Sequence, residues 1–142
     1  MSLQIYFNVD GQPQGKARPR FRKVGKFVSV YTPEKTKTYE TQIREAAIVA
    51  MGPIKPLETA VAVHLHMYAT VPASYSKKRT EACLDGSERP TKKPDADNIA
   101  KAFLDAMNGV VYKDDAQIVY LTASKNYGVI PCVHVSVYEV LE

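Results

Sequence analysis

The stretch from Lys92 to Asp115 constrains this chain most, because it sets an apolar helical stripe beside acids that cannot crowd together unaided. Ile99, Phe103, Ala106, Met107 and Val110 recur at three- and four-residue intervals, the spacing of one buried helix face. Asp97, Lys101 and Asp105 are four apart and climb a different face. Two helical residues at i and i+2 diverge by roughly 200°, so Asp95 and Asp97 share a site only if Asp95 precedes the helix. Pro94 supports that placement, since it disfavours helix at Lys93 and suits a position just ahead of a cap. Asp95 is therefore expected at or just before the N-cap, with the helix running from Asp97. Taken alone, the same pattern describes a capping residue and a solvated charge.

A second acidic step follows. Gly109 stands where a left-handed helix end is wanted, Val110-Val111-Tyr112 reverses the chain, and Lys113-Asp114-Asp115 leads into the strand-like run Gln117 to Leu121. Adjacent extended residues point to opposite sides, so one of Asp114 and Asp115 faces the helix start. Three carboxylates then approach one another. Two unit charges about 4 Å apart repel by roughly 4 kcal/mol at an effective dielectric near 20, so such a cluster calls for a divalent cation. Oxygen-only ligands suit Mg²⁺, with Mn²⁺ as a substitute; Mg²⁺ takes one or two carboxylates, keeps waters and binds a substrate phosphate. Lys101, on the Asp97 face, is placed to hold that phosphate or to stabilise developing negative charge.

The order Asp95-x-Asp97-Asn98-x-x-Lys101-x-x-x-Asp105, followed by Asp114-Asp115-x-Gln117-Ile118, resembles the signature of the RusA family of Holliday junction resolvases, metal-dependent endonucleases of phages, prophages and bacteria. Gly15-Lys16-x-Arg18-Pro19-Arg20 and Tyr31-Thr32-Pro33-Glu34-Lys35-Thr36-x-x-Tyr39-Glu40 are similar to the form common in Gram-positive bacteria and their phages. Some relatives carry a run of Arg before the first Asp, where this chain has Lys92-Lys93-Pro94. The resemblance implies a Mg²⁺-dependent endodeoxyribonuclease that resolves four-way junctions by paired symmetric nicks in DNA recombination and repair. It also implies a homodimer, because two symmetric nicks need two active sites. The expected metal ligands are Asp95, Asp97 and Asp115, with Lys101 beside them and Asp105 and Asp114 in reserve. A catalytically silent binder of branched DNA, and a phage nuclease acting on flaps, are the competing readings.

The distribution of charge bears on the DNA reading more than the total of 19 basic and 15 acidic residues does. Between Gly15 and Lys26 stand Lys16, Arg18, Arg20, Arg22, Lys23 and Lys26 with no acid, a density expected of a mobile loop awaiting a polyanion. Phosphate neutralisation by such residues gives salt-dependent affinity without reading sequence, and Phe21 could stack on an unpaired base or anchor the loop. A second basic group, Lys77, Lys78, Arg79, Lys92 and Lys93, leads directly into the acids.

The remaining elements predict one domain over residues 1–142, a mixed α/β (α+β) sheet packed with helices. Leu3, Ile5, Phe7 and Val9 alternate as a strand, Phe27 to Tyr31 form another, and Thr32 is expected to cap a helix with Pro33 in its first position. Tyr39, Ile43, Ala46, Ala47 and Ala50 should be that helix's buried face, and Gly52-Pro53 its stop. Val61, Val63, Leu65 and Met67 line a strand whose other side carries His64 and His66, an arrangement that packs a sheet more readily than it binds metal without a third ligand. Ser74 to Ala82 reads as a short helix, and Val119–Ala123 with Val133–Val137 as an antiparallel hairpin turning at Asn126-Tyr127-Gly128. Cys83 and Cys132 have no metal spacing and are expected as core thiols of a reducing cytoplasm. No run approaches 18 apolar residues, so neither secretion nor membrane insertion is expected.

Overall fold

A computed structural model of the chain describes residues 3–141. Strands β1 (Gln4–Asp10), β4 (Ala60–Ala69), β5 (Ile118–Tyr127) and β6 (Cys132–Val140) form one sheet in the order β1-β6-β4-β5. β6 is antiparallel to both of its neighbours and β5 runs parallel to β4, which makes the sheet mixed, as expected. Register explains the core: Ile5, Val137 and Val63 lie in one row across the sheet, and Val9, Val133 and Met67 in another, all on one face. Helices α1 (Glu34–Met51) and α3 (Ala96–Met107) cover that face, α1 towards β1 and α3 towards β5. Burial of these apolar side chains on a shared face supplies the main driving force for the fold.

The opposite face carries rows of polar side chains. His64 contacts Thr122 and stacks on Tyr138 at 5.4 Å between ring centroids, while His66 meets Ser124. Cys83 and Cys132 are buried and free. Among the described residues no helix is long and apolar enough to cross a membrane.

Four expectations need correction. β5 and β6 do not form a hairpin, because β6 inserts between β1 and β4. The alternating Val133, Val135 and Val137 are almost wholly buried there, and an edge position would have bared them. Helix α1 starts one residue later than expected, with Pro33 rather than Thr32 at the cap, since Pro33 keeps an extended ψ of 143°. Helix α2 spans Lys77–Asp85 rather than Ser74–Ala82, because Ser76 accepts from the Arg79 amide at 3.2 Å and Gly86 ends the helix at φ 90°.

The last correction concerns the basic segment, half of which is a strand. Arg20–Val24 forms β2 and pairs with β3 (Phe27–Tyr31) as a separate two-stranded ribbon. Register removes the expected repulsion, since Arg20 faces Tyr31, Arg22 faces Ser29 and Lys23 faces Val28, so no two cations are opposed.

Candidate functional site

Helix α3 begins at Ala96, one residue ahead of the expected Asp97, because the cap falls on Asp95 itself. Asp95 is the N-cap in an extended conformation (φ −69°, ψ 149°), and its carbonyl accepts from the Ile99 amide at 3.0 Å. Its carboxylate makes no capping bond, so those oxygens stay available. Asp97 follows in the first turn, and both acids are exposed. The positive end of the helix dipole eases the cost of placing two carboxylates at one helix start.

Asp95 opens onto a cleft of about 540 Å³, with Lys93, Pro94 and Asn98 on its own side and Lys35, Arg20 and the segment Pro13 to Ala17 opposite. That segment is fastened between the two helices. The Lys16 amide donates to the Asn98 carbonyl at 3.2 Å and the Ala17 amide to the Thr36 hydroxyl at 3.1 Å. Gly15 suits this approach, because a Cβ there would displace the Asn98 side chain and come within 3.1 Å of Pro94.

The Lys16 ammonium, expected to meet phosphate, turns inward instead. It lies 2.6 Å from Asp105 Oδ2 and 3.0 Å from Glu40 Oε1, while Lys101 Nζ is 3.6 Å from the same Asp105 oxygen. Partial burial works to lower the Lys16 pKa, but the hydrogen bonds and charges of Asp105 and Glu40 outweigh it and hold the value above the ordinary lysine range. Asp105 is therefore engaged in holding the loop, which leaves Lys101 exposed on the Asp97 face.

Asp114 and Asp115 have separate tasks. Asp114 caps a 3-10 turn over Asp115–Gln117, accepting from the Ala116 amide at 3.0 Å, and its own amide donates to Gln117 Oε1 at 2.8 Å. Asp115 is half-buried and lines a hollow of about 290 Å³ with Leu104, Ile118, Val119 and Leu121. Seven residues of α3, roughly 10 Å at about 1.5 Å per residue, separate Asp97 from Leu104. Among the described residues no group of three or more His, Cys, Asp or Glu is gathered for a metal. Asp95 and Asp97 thus lie at the head of α3, and Asp115 lies beside Asn108 at its far end. The acids at the head of α3 offer oxygen-only donors, a set whose chemistry fits Mg²⁺ completed by waters and a phosphate.

The other expected DNA contacts divide. Arg18, Arg20, Arg22 and Lys23 are exposed on or beside the ribbon, and Lys77 and Lys78 on α2. Arg79 is held by Glu88 at 3.0 Å and lies 3.6 Å above the Tyr75 ring, so its charge is used within the protein. Lys92 also approaches Tyr75, and Lys93 faces the cleft.

Sequence reasoning missed several positioning residues. Asn108 accepts from the Asp115 amide at 2.9 Å, and Lys35 and Lys125 add cations near the cleft. Gln117 donates to the carbonyls of Leu57 and Thr59 at 2.9 and 2.8 Å, tying the Asp115 corner to the start of β4. Its signal was legible, since Asp114-x-x-Gln117 has the form of a capping box. Gln117→Leu removes the donor to the Thr59 carbonyl, while the Leu57 carbonyl keeps the Lys113 amide, and is expected to cost about 1 kcal/mol of stability. Urea denaturation checks this, and Gln117→Glu should not recover the loss, because its carboxylate has no donor for the Leu57 and Thr59 carbonyls it would face.

Residues 10–138 match the model of the family described as Endodeoxyribonuclease RusA. The chain is also 37% identical over 140 residues to the uncharacterized protein YqaN of Bacillus subtilis (strain 168), with 96% of each chain covered.

Proposed function

This chain belongs to the RusA family of endodeoxyribonucleases, which places it among nucleases of branched DNA, and on that premise we propose that it is a Mg²⁺-dependent resolvase of four-way junctions acting at the head of α3. The observation that carries this reading is the free Asp95 carboxylate, which sits at a helix cap without capping it and looks onto a cleft walled by Arg20, Lys35 and Lys93. Cations on both walls draw a phosphodiester towards two acids that would otherwise repel it.

Asp95 and Asp97 would hold the metal, which when bound supplies an activated water and charge neutralisation for in-line hydrolysis. Lys101 is close enough to contact the phosphate from the same helix face, and its partner Asp105 keeps it oriented. Lys93 and Arg20 fix the strand across the cleft. Asp115 is the third acid of the proposed site, and its distance from Asp97 within one chain supports a role for a second copy. Edge strand β5 leaves Val119, Tyr120 and Leu121 exposed beside Asp115, a surface that pairing in a homodimer would cover. Such a dimer would present two sites, as paired nicks on a junction require. Function in recombination and repair in the cytoplasm follows from that substrate.

The test compares incision of a four-way junction, a flap and a linear duplex under identical salt. Symmetric nicks near the junction branch, at rates well above those on the other two, are expected. Preferential cutting of flaps would replace the resolvase reading with that of a general branch nuclease.

A further inference from the structure

The ribbon β2–β3 is the part of the molecule that the active-site account leaves unexplained. It forms its own two-stranded sheet and pairs with none of the four main strands. Isolated two-stranded ribbons are marginal in water, yet this one bares apolar side chains along its length: Phe21 is 72% exposed, Val24 54% and Phe27 79%. Such a surface is built to be covered by something.

Register sorts the ribbon's two faces. Arg20, Arg22 and Val24 alternate on one face with Tyr31, Ser29 and Phe27 opposite them, so two arginines form a shaft and the Val24–Phe27 pair forms its head. Arg22 lies 5.0 Å over the Tyr31 ring, which stiffens the shaft. Gly25 at φ 59° allows the two-residue turn with Lys26 that brings Val24 and Phe27 together at the tip. At the other end Arg20 lines the cleft that holds Asp95, so the basic face is continuous with the proposed site. No acidic residue occurs between Asp10 and Glu34.

We propose that this ribbon is a branch-sensing arm: Arg20 and Arg22 track phosphates away from the cleft, and the Val24–Phe27 head inserts between bases that a branch point leaves poorly stacked. The occupant is branched DNA, argued from charge complementarity along the whole segment and from continuity with the cleft. Apolar wedges between base steps cost a few kcal/mol of unstacking in intact duplex, and that cost falls where stacking is already broken. The head thereby discriminates structure while the shaft supplies affinity without sequence. This inference rests on the nuclease reading for its substrate, and the experiment separates the two.

The chain contains no Trp, so Phe27→Trp places a single indole at the tip. Its emission and acrylamide quenching are measured with saturating four-way junction or linear duplex, with Ca²⁺ in place of Mg²⁺, and incision is followed in parallel with Mg²⁺. The indole is expected to be shielded and quenched by the junction and far less by duplex. In a second variant, Val24→Ser with Phe27→Ser, junction affinity should fall about tenfold, the scale of one lost stacking contact, with the salt slope preserved because the arginines remain. An indole that stays open to acrylamide on a saturated junction overturns the proposal, as does undiminished junction affinity in the double variant. Shielding that grows with protein concentration before DNA is added also overturns it, by showing that a second copy covers the tip. Shielding by the junction without any incision upholds the arm and sinks the nuclease reading, and incision without shielding does the reverse.

Discussion

Asp97→Asn leaves junction binding in place and lowers the single-turnover rate of incision by about 10³-fold, the upper range for removing one electrostatic stabiliser. The substitution keeps the side chain's shape and removes one negative charge from the first turn of α3, where Asp97 is exposed and packs against nothing that its loss would disturb. Stability therefore changes by less than about 1 kcal/mol, the limit of a helix-dipole contribution at an exposed site. Binding persists because the cleft's cations, Arg20, Lys35 and Lys93, are untouched. The effect falls on the rate and not on affinity, the signature of an interaction made in the transition state. Gel shift and quench-flow measurements on one labelled junction check both halves, and cutting at the wild-type rate would remove Asp97 from the site.

Lys16→Met has the largest expected effect on stability. Lys16 is about a quarter exposed and lies between Asp105 and Glu40, so its removal leaves two carboxylates facing each other without a shared cation. Breaking a fully buried pair costs about 3–5 kcal/mol. Partial exposure and the nearby Lys101, 3.6 Å from Asp105, reduce this to about 2 kcal/mol, or roughly 5–8 °C in melting temperature for a chain of this size. The pH dependence has a definite sign. The Lys16 pKa is raised in the fold, so its contribution is fully present below the unfolded lysine value and is lost as pH climbs through the folded one. Tyr39, whose hydroxyl burial pushes up to about 12, likewise loses its contribution as pH rises above the unfolded tyrosine value. Wild-type stability should therefore fall above about pH 10, and Lys16→Met should show a shallower alkaline slope. An equal slope in both proteins would show that the ammonium contributes nothing.

Much of the fold was legible because burial and periodicity agree. The stripe Ile99, Phe103, Ala106, Met107 is the buried face of α3, and Tyr39, Ile43 and Ala47 that of α1. Asp95 falls at the N-cap, where Pro94 and the i, i+2 geometry placed it. Strand order was not legible, because β5 and β6 look alike in sequence. Only the pairing of β6 with β1 along one edge and β4 along the other shows which one is central, and that depends on partners distant in the chain. The ribbon was hidden for a different reason. Charge density suggested repulsion, whereas cross-strand register places each cation opposite a neutral side chain. The separation of Asp97 from Asp115 was likewise invisible, since spacing along a chain does not say how far a 3-10 turn stands from a helix start. Tyr112 closes the expected turn, its carbonyl accepting from the Gly109 amide at 2.8 Å, and is also fully buried with its hydroxyl donating to the Leu104 carbonyl at 2.7 Å, which fixes where that turn lies.

The most direct measurement follows an end-labelled four-way junction with the wild-type protein in Mg²⁺, in Mn²⁺ and in excess EDTA. The account predicts paired nicks with either metal and, in EDTA, a junction that is bound but uncut. Nicking that continues in EDTA would contradict a divalent ion at the head of α3, and tight binding with no nicking under any metal would leave only a DNA-binding protein.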